Sequence, residues 1–250
     1  MPAEMSVAVI GLGSRGLGVL ERLICLADPA RPLRVELIDP EGTGAGVHAL
    51  AQPDYLLLNT TCGQVSMFPD ACSVGEQVRG TGPSLYEWAT ERGLRIAGDG
   101  FTVGSTGRPI RPTDFLPRRV LGEYLQWFLG YLLARVPEHV SVRLHRACAT
   151  DLGSDAAHRL IVTLSDGARL PVQHAFLTTG YTGNQHRGSD RPGTERVIAR
   201  PYPLPAQLER VGPGQAVAIG GFGLSAMDVM SCLTVGRGGT FVPDGDRLRY

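Results

Sequence analysis

Three glycines spaced to cradle a diphosphate stand near the start of this chain. Gly11, Gly13 and Gly16 follow an apolar, β-branched run, Val7 to Ile10, within the stretch SVAVIGLGSRGLGVLERL. In this pattern the first glycine permits the tight turn out of a strand. The second lets the backbone approach a pyrophosphate, and the third lets a helix pack closely on a sheet. Ser14 and Arg15 open that helix, whose exposed N–H groups would hold the anion. Asp39 lies 23 residues past Gly16, at the tip of a second apolar run, LRVELIDP. It is placed to accept hydrogen bonds from the ribose hydroxyls of an adenosine. Strand, glycine turn, helix, strand and acid together read as a dinucleotide-binding βαβ unit, the alternative being a merely structural turn.

A second pattern of the same kind appears in QAVAIGGFGLSAMDVMSCLTVGRGG. Gly221, Gly223 and Ala226 hold its three positions, with Gly220 as an extra glycine and Ser225 in the helix start. A small residue serves at the third position because the requirement there is close packing. Two such patterns imply two nucleotides. The alternative is a glycine-rich turn without ligand, because no second strand with an acid follows. Only TFVPDGDRLRY remains after the helix, whereas a βαβ unit needs its second strand. The expectation is the amino-terminal portion of a longer protein.

Composition narrows the chemistry. The 250 residues carry 24 basic and 24 acidic side chains, so nothing points to a nucleic-acid or anionic-membrane surface. Every basic residue is arginine, which removes Schiff-base chemistry and a phosphate-binding P-loop lysine. The cysteines (Cys25, Cys62, Cys72, Cys148, Cys232) are odd in number and scattered, against a disulfide framework, a zinc site or a dithiol motif. The histidines show no HExxH spacing, and neither Ser14 nor Ser225 sits in a G-x-S-x-G elbow, so metal-assisted and serine hydrolysis are disfavoured. No metal site is expected. No run is long and apolar enough for a membrane span, and the amino terminus lacks a signal-peptide pattern, so a soluble cytoplasmic protein is expected.

The elements that must position these residues follow from periodicity. Glu41 to Gly82 is glycine-rich and irregular, too long for a plain connector. It carries His48, either an ordinary loop contact or an acid/base group, and Asn59. Asn59 either donates to a bound ligand or satisfies a loop turn. SLYEWATER reads as a short helix and 101–112 as another loop. DFLPRRVLGEYLQWFLGYLLARV is the strongest helix, its aromatic stripe (Tyr124, Trp127, Phe128, Tyr131) serving as core. At its start Arg118 and Arg119 either grip a carboxylate or phosphate or are solvated. VSVRLHRACATDLG and HRLIVTLSDGARLPV read as an antiparallel meander, and QHAFLTTG as a buried parallel strand. The chain divides into 1–182, a proline- and arginine-rich linker 183–213, and 214–250.

The ordered set VAVIGLGSRG, Asp39, GTGAGVHA, LLLNTT, RRVLGEYL, FLTTG and GGFGLSAMDVMSCLTVGRGG resembles the FAD/NAD(P)-binding flavoproteins that include flavin-dependent N-monooxygenases of the aspartate N-hydroxylase type and FAD-dependent urate hydroxylase. The likeness spans nearly the whole chain. It implies an α/β fold: a Rossmann-like FAD-binding domain with an antiparallel meander, plus the start of a second Rossmann-like unit for NAD(P)H. It also implies Gly46, His48, Asn59, Thr179 and Gly180 as FAD contacts beside the first glycine pattern. Gly221, Gly223 and Ser225 are implied as NAD(P)H contacts. The implied reaction is reduction of FAD by NAD(P)H, addition of O2 at the flavin C4a, and oxygen transfer from the hydroperoxide to a small nitrogen nucleophile. Few catalytic side chains are expected, because the flavin carries the chemistry; the candidate is Asn59, as a donor to a flavin or peroxide oxygen. A plain NAD(P)-dependent dehydrogenase and a non-catalytic nucleotide-binding protein are the alternatives. Homo-oligomerisation is left open.

Overall fold

The computed structural model describes residues 4–69, 81–98, 100–156, 159–180 and 197–250. Cys72 and the first part of the connector lie outside them. The apolar run after Glu4 forms β1 (Met5–Ile10), the turn at Gly11–Gly13 leads into α1 (Ser14–Leu26), and the chain returns as β2 (Leu33–Ile38). Strands β1 and β2 pair in parallel from Met5↔Leu33 to Ile10↔Ile38. Next come α2 (Leu85–Glu91), the short strands β3 (Leu94–Ala97), β4 (Gly100–Val103) and β5 (Arg108–Pro109), and the long helix α3 (Arg118–Leu133). After α3 run β6 (Val140–His145), β7 (Ala149–Ser154), β8 (Leu160–Leu164), β9 (Arg169–Val172) and β10 (His174–Leu177). The last elements are α4 (Leu224–Leu233) and the hairpin β11 (Val242–Asp244) with β12 (Arg247–Arg249).

The main sheet has the order β10-β1-β2-β6 and is parallel throughout. Alternation along its central strands sends side chains to two different layers. Val7, Val9, Val35 and Leu37 face the helices, meeting Leu17 and Leu20 of α1 and Leu125, Phe128 and Leu132 of α3. Ala8, Ile10 and Ile38 face the antiparallel β7-β8-β9 sheet through Val162, Leu164 and Val172. Helix, parallel sheet and antiparallel sheet thus make three layers, as the α/β reading requires. The aromatic stripe of α3 is core: Tyr124 and Phe128 are fully buried.

Four expectations need correction. Val140–His145 is not part of the meander; it joins the parallel sheet beside β2, in register from Leu33↔Val140 to Ile38↔His145. Half-buried alternation is common to an edge strand of a parallel sheet and a meander strand, so pattern alone assigned it to the wrong sheet. QHAFLTTG does yield a strand parallel to β1, but it lies at the sheet edge, and Phe176 and Leu177 are exposed instead of buried. The 101–112 loop contributes β4 and β5, which pair with β3. The apolar run before the second glycine turn forms no strand, and Val217 and Ile219 are exposed. An extended segment without a hydrogen-bonding neighbour is not a sheet strand, whatever its composition.

Candidate functional site

The first glycine turn lies where β1, β2 and β10 end, the usual place for ligands in open parallel sheets. Gly11 has φ +98°, and a Cβ there would lie 2.7 Å from the Thr178 carbonyl oxygen. A Cβ on Gly16 would lie 2.0 Å from the Gly11 carbonyl oxygen. Both glycines are therefore demanded by backbone contact. Across the turn stands Gly46, at φ +56°, where a Cβ would fall 2.8 Å from the Gly13 Cα. The two facing glycines present bare backbone on both sides, a cradle that any side chain would fill.

The start of α1 suits an anion. Its N-cap, Gly13, offers no side-chain cap, and its first turn contains no acid. By contrast, α2 closes its own N-terminus with a capping box formed by Ser84 and Glu87. An uncapped N-terminus leaves N–H groups and the positive end of the helix dipole for a ligand. The second glycine turn repeats this design. Gly221 has φ +109°, and Gly223 caps α4 with φ −90° and ψ −169°, against −85° and −169° at Gly13. It likewise has no side-chain cap and no acid in the first turn.

Asp39 does more than the sequence suggested. Its Oδ2 accepts a hydrogen bond from the Leu12 N–H at 2.9 Å, and its Oδ1 accepts from the N–H groups of Gly42 at 2.8 Å and Glu41 at 3.1 Å. The carboxylate thus ties the glycine turn to the loop after β2. Each carboxylate oxygen accepts about two hydrogen bonds, so Oδ2 retains room for a ribose hydroxyl. Thr178, which sequence reasoning passed over for its neighbours Thr179 and Gly180, donates its hydroxyl toward the carbonyl oxygens of Ile10 at 3.0 Å and Gly11 at 2.8 Å. Thr179 and Gly180 are exposed just beyond it.

His48 is half-buried, and its Nδ1 is buried without a hydrogen-bond partner. Burial, and secondarily the nearby Arg118 charge, lower its pKa and favour the neutral ring. The loop carrying it presses on α3 at Gly122, where a Cβ would sit 1.9 Å from the His48 carbonyl oxygen. A glycine in a helix interior costs stability unless something needs its bareness, and that was the available signal for Gly122. Ser14 and Asn59 are exposed, while Arg15 lines an apolar groove of about 600 Å³ with Met5, Leu23 and Phe176.

Arg118 and Arg119 are neither solvated nor free for a ligand. Arg118 forks onto Asp228 of α4 at 2.6 and 3.0 Å and donates from Nε to the Leu57 carbonyl oxygen at 3.0 Å. Burial works against its charge, but hydrogen bonds to Asp228 and Tyr202 outweigh that and raise its pKa. Arg119 pairs with Asp54 and, at 2.9 Å, with Glu123. The structure thus gathers Gly11, Gly13, Ser14, Gly16, Asp39, Gly46, Thr179 and Gly180 around the first turn. Gly221, Gly223 and Ser225 form the second, and Arg118–Asp228 links the helix behind it to the segment before Asn59.

A family model described as FAD-NAD(P)-binding matches residues 8–182. The chain belongs to this family. FAD and NAD(P)H are accordingly its cofactors, and the bare glycine cradle, the two uncapped helix starts and the unpartnered His48 Nδ1 are features that fit such groups. An L-aspartate N-monooxygenase (nitrosuccinate-forming) from Streptomyces davaonensis is 34% identical, covering 99% of this chain and 41% of its own length. A nitrosuccinic acid synthase from Aspergillus oryzae is 33% identical over 98% of this chain and 37% of itself. The chain therefore spans about two fifths of these relatives. Among solved structures, a flavin-containing monooxygenase from Stenotrophomonas maltophilia aligns with 72% of this chain and 39% of its own at TM-score 0.40 and 19% identity. Among the described residues, no helix is long and apolar enough to cross a membrane.

Proposed function

We propose that this chain supplies the cofactor-binding machinery of an FAD-dependent, NAD(P)H-using monooxygenase that hydroxylates a small nitrogen-containing substrate. The observation that carries the reading is the pair of glycine turns with nearly the same backbone angles, each opening an uncapped helix. One nucleotide site would serve a simple dehydrogenase; two sites serve a flavin and its reductant. The nitrogen-containing substrate is inferred from the names of the two relatives, an aspartate N-monooxygenase and a nitrosuccinate-forming enzyme.

In this reading Gly11, Gly13, Ser14, Arg15 and Gly16 form the FAD turn, and the α1 N-terminus neutralises the FAD pyrophosphate. Asp39 holds the adenosine ribose, while Gly46, His48, Asn59, Thr179 and Gly180 border the same cofactor. Gly221, Gly223 and Ser225 receive the NAD(P)H pyrophosphate. When bound, FAD supplies the electron storage and the activation of O2 that oxygen transfer to nitrogen requires. The side chains orient both nucleotides, keep water from the reacting face and, at His48, present a ring held neutral by its surroundings. We assign 1–182 to the flavin unit, 183–213 to the connector and 214–250 to the nicotinamide unit. Substrate and O2 are its small-molecule partners, and this reading places the enzyme in the cytoplasm, which holds an NAD(P)H pool.

The first test is the absorbance spectrum of the purified protein, with identification of the nucleotide released on heating. Released FAD supports the reading; NAD(H) without flavin returns the chain to the dehydrogenase alternative. The second is NAD(P)H oxidation and O2 uptake across a screen of amino acids and other small nitrogen nucleophiles.

A further inference from the structure

We propose that Arg118 and Asp228 are a positioning pair, setting the second glycine turn against the loop before Asn59 so that the flavin is reduced. This rests on the reading that the second turn holds the nicotinamide. The step served is hydride transfer: two electrons and a proton leave NAD(P)H, which becomes NAD(P)+, and arrive on the oxidised flavin.

Arg118 is anchored on the flavin side by its own backbone. Its N–H donates to the Leu56 carbonyl oxygen at 2.8 Å, and its Nε donates to that of Leu57 at 3.0 Å. The next residue, Arg119, grips Asp54. The segment from Asp54 to Leu57 is therefore clasped at both ends by adjacent arginines, immediately before Asn59. From this anchored base the Arg118 fork reaches Asp228, whose side chain is only 8% exposed. Asp228 follows Gly223 by five residues on α4, so it reports directly on where the second turn sits. The Tyr202 hydroxyl donates to the same carboxylate, bringing the connector into the clasp.

Apolar contacts also join the two sides. Leu56 packs with Leu204, Leu208, Val229 and Cys232. Such contacts tolerate sliding and rotation, whereas a planar guanidinium on both oxygens of a carboxylate fixes distance and angle together. A buried ion pair is a poor source of stability compared with well-packed apolar residues, and its best-attested use is to set register. Apart from the weaker thiol–hydroxyl contact between Cys232 and Tyr55, the fork is what gives α4 a directional bond toward the Asp54–Leu57 segment among the described contacts.

The test is Asp228→Asn, with Arg118→Lys as the variant that keeps the charge and loses the fork. Protein loaded with FAD is reduced by NADH and by NADPH in a stopped-flow instrument, and amide hydrogen exchange is followed in the same samples. A hydride donor misplaced by about 1 Å loses up to about a hundredfold in rate. Asp228→Asn should therefore lower the limiting reduction rate by about tenfold or more, with the half-saturating nicotinamide concentration and the FAD content nearly unchanged. Arg118→Lys should fall between, and exchange should quicken in 54–58 and in 224–230 together. A wild-type limiting rate in Asp228→Asn overturns the proposal. So does a defect confined to nicotinamide affinity, or quickened exchange in 224–230 alone. If the unsubstituted protein is not reduced by either nucleotide, it is the nicotinamide reading that fails. The exchange result then decides the pair by itself, joint quickening supporting it and an unchanged 54–58 refuting it.

Discussion

Gly16 and Gly18 occupy the same helix two residues apart, and the structure assigns opposite consequences to giving each a methyl group. On Gly16 the added Cβ would lie 2.0 Å from the Gly11 carbonyl oxygen and 3.1 Å from the Thr178 Oγ1. Real Cβ contacts do not fall below 3.0 Å, so α1 must retreat from the glycine turn by about 1 Å. Forcing extra volume into a packed site costs about 1–3 kcal/mol, while replacing a helical glycine by alanine returns up to roughly 1 kcal/mol. The expected net loss for Gly16→Ala is about 1–2 kcal/mol, or a fall of roughly 2–8 °C in the thermal midpoint for a chain of this size. On Gly18 the added Cβ meets nothing within 4 Å, so only the helix-propensity gain remains. Gly18→Ala should be neutral or raise the midpoint. Because the retreat also pulls the N-terminus of α1 from the diphosphate cradle, FAD affinity should fall by about tenfold, worth about 1.4 kcal/mol, in Gly16→Ala only. The assay is thermal unfolding of both variants without and with FAD, together with titration by flavin fluorescence. Equal midpoints and equal FAD affinities in the two variants would refute the close-packing argument.

Three further outcomes follow from the same geometry. Asp39→Ala strands the N–H groups of Leu12, Glu41 and Gly42, so the flavin-free protein should lose roughly 1–3 kcal/mol, read as a lower midpoint before any nucleotide is added; an unchanged midpoint would leave the carboxylate only its ribose role. Gly122→Ala drives a Cβ to within 1.9 Å of the His48 carbonyl oxygen, and faster proteolysis in the 44–52 loop is expected, with no change there disproving the contact. His48 titrates below its ordinary value in the folded chain because of burial and the Arg118 charge. The unfolded chain therefore takes up the proton first, and the stability this contributes is present above about pH 6.5 and lost as pH falls through the folded pKa. His48→Gln should flatten the dependence of the midpoint on pH in that acidic window, and parallel curves for the two proteins would show that His48 does not contribute.

Much of the first unit was legible in the chain because it is local. Strand, glycine turn, helix and acid lie within about forty consecutive residues, and each is specified by its own periodicity or by the bareness that only glycine offers. The second turn was legible for the same reason, and the backbone angles at Gly221 and Gly223 match those at Gly11 and Gly13. The strongest helix, with its buried Tyr124 and Phe128, followed from spacing alone. What the spacing could not supply was the identity of partners. Hydrophobic alternation in Val140–His145 shows that one face is covered, but only the assembled sheet decides that β2 pairs with it. The run before Gly221 has the composition of a strand, yet composition provides no neighbour to accept its hydrogen bonds.

Ion pairing is the extreme case. Arg118 and Asp228 are 110 residues apart, and nothing near either residue in the chain marks the other. Their meeting depends on where α3 and α4 come to rest, which is set by apolar packing around Leu56, Leu204 and Val229. Asp39 shows the same division in one side chain. Its place at the tip of β2 was determined by the sequence, because strand length and the following turn are local properties. Its grip on the Leu12 N–H was decided only when β1 and β2 paired in register and brought the two strand ends side by side.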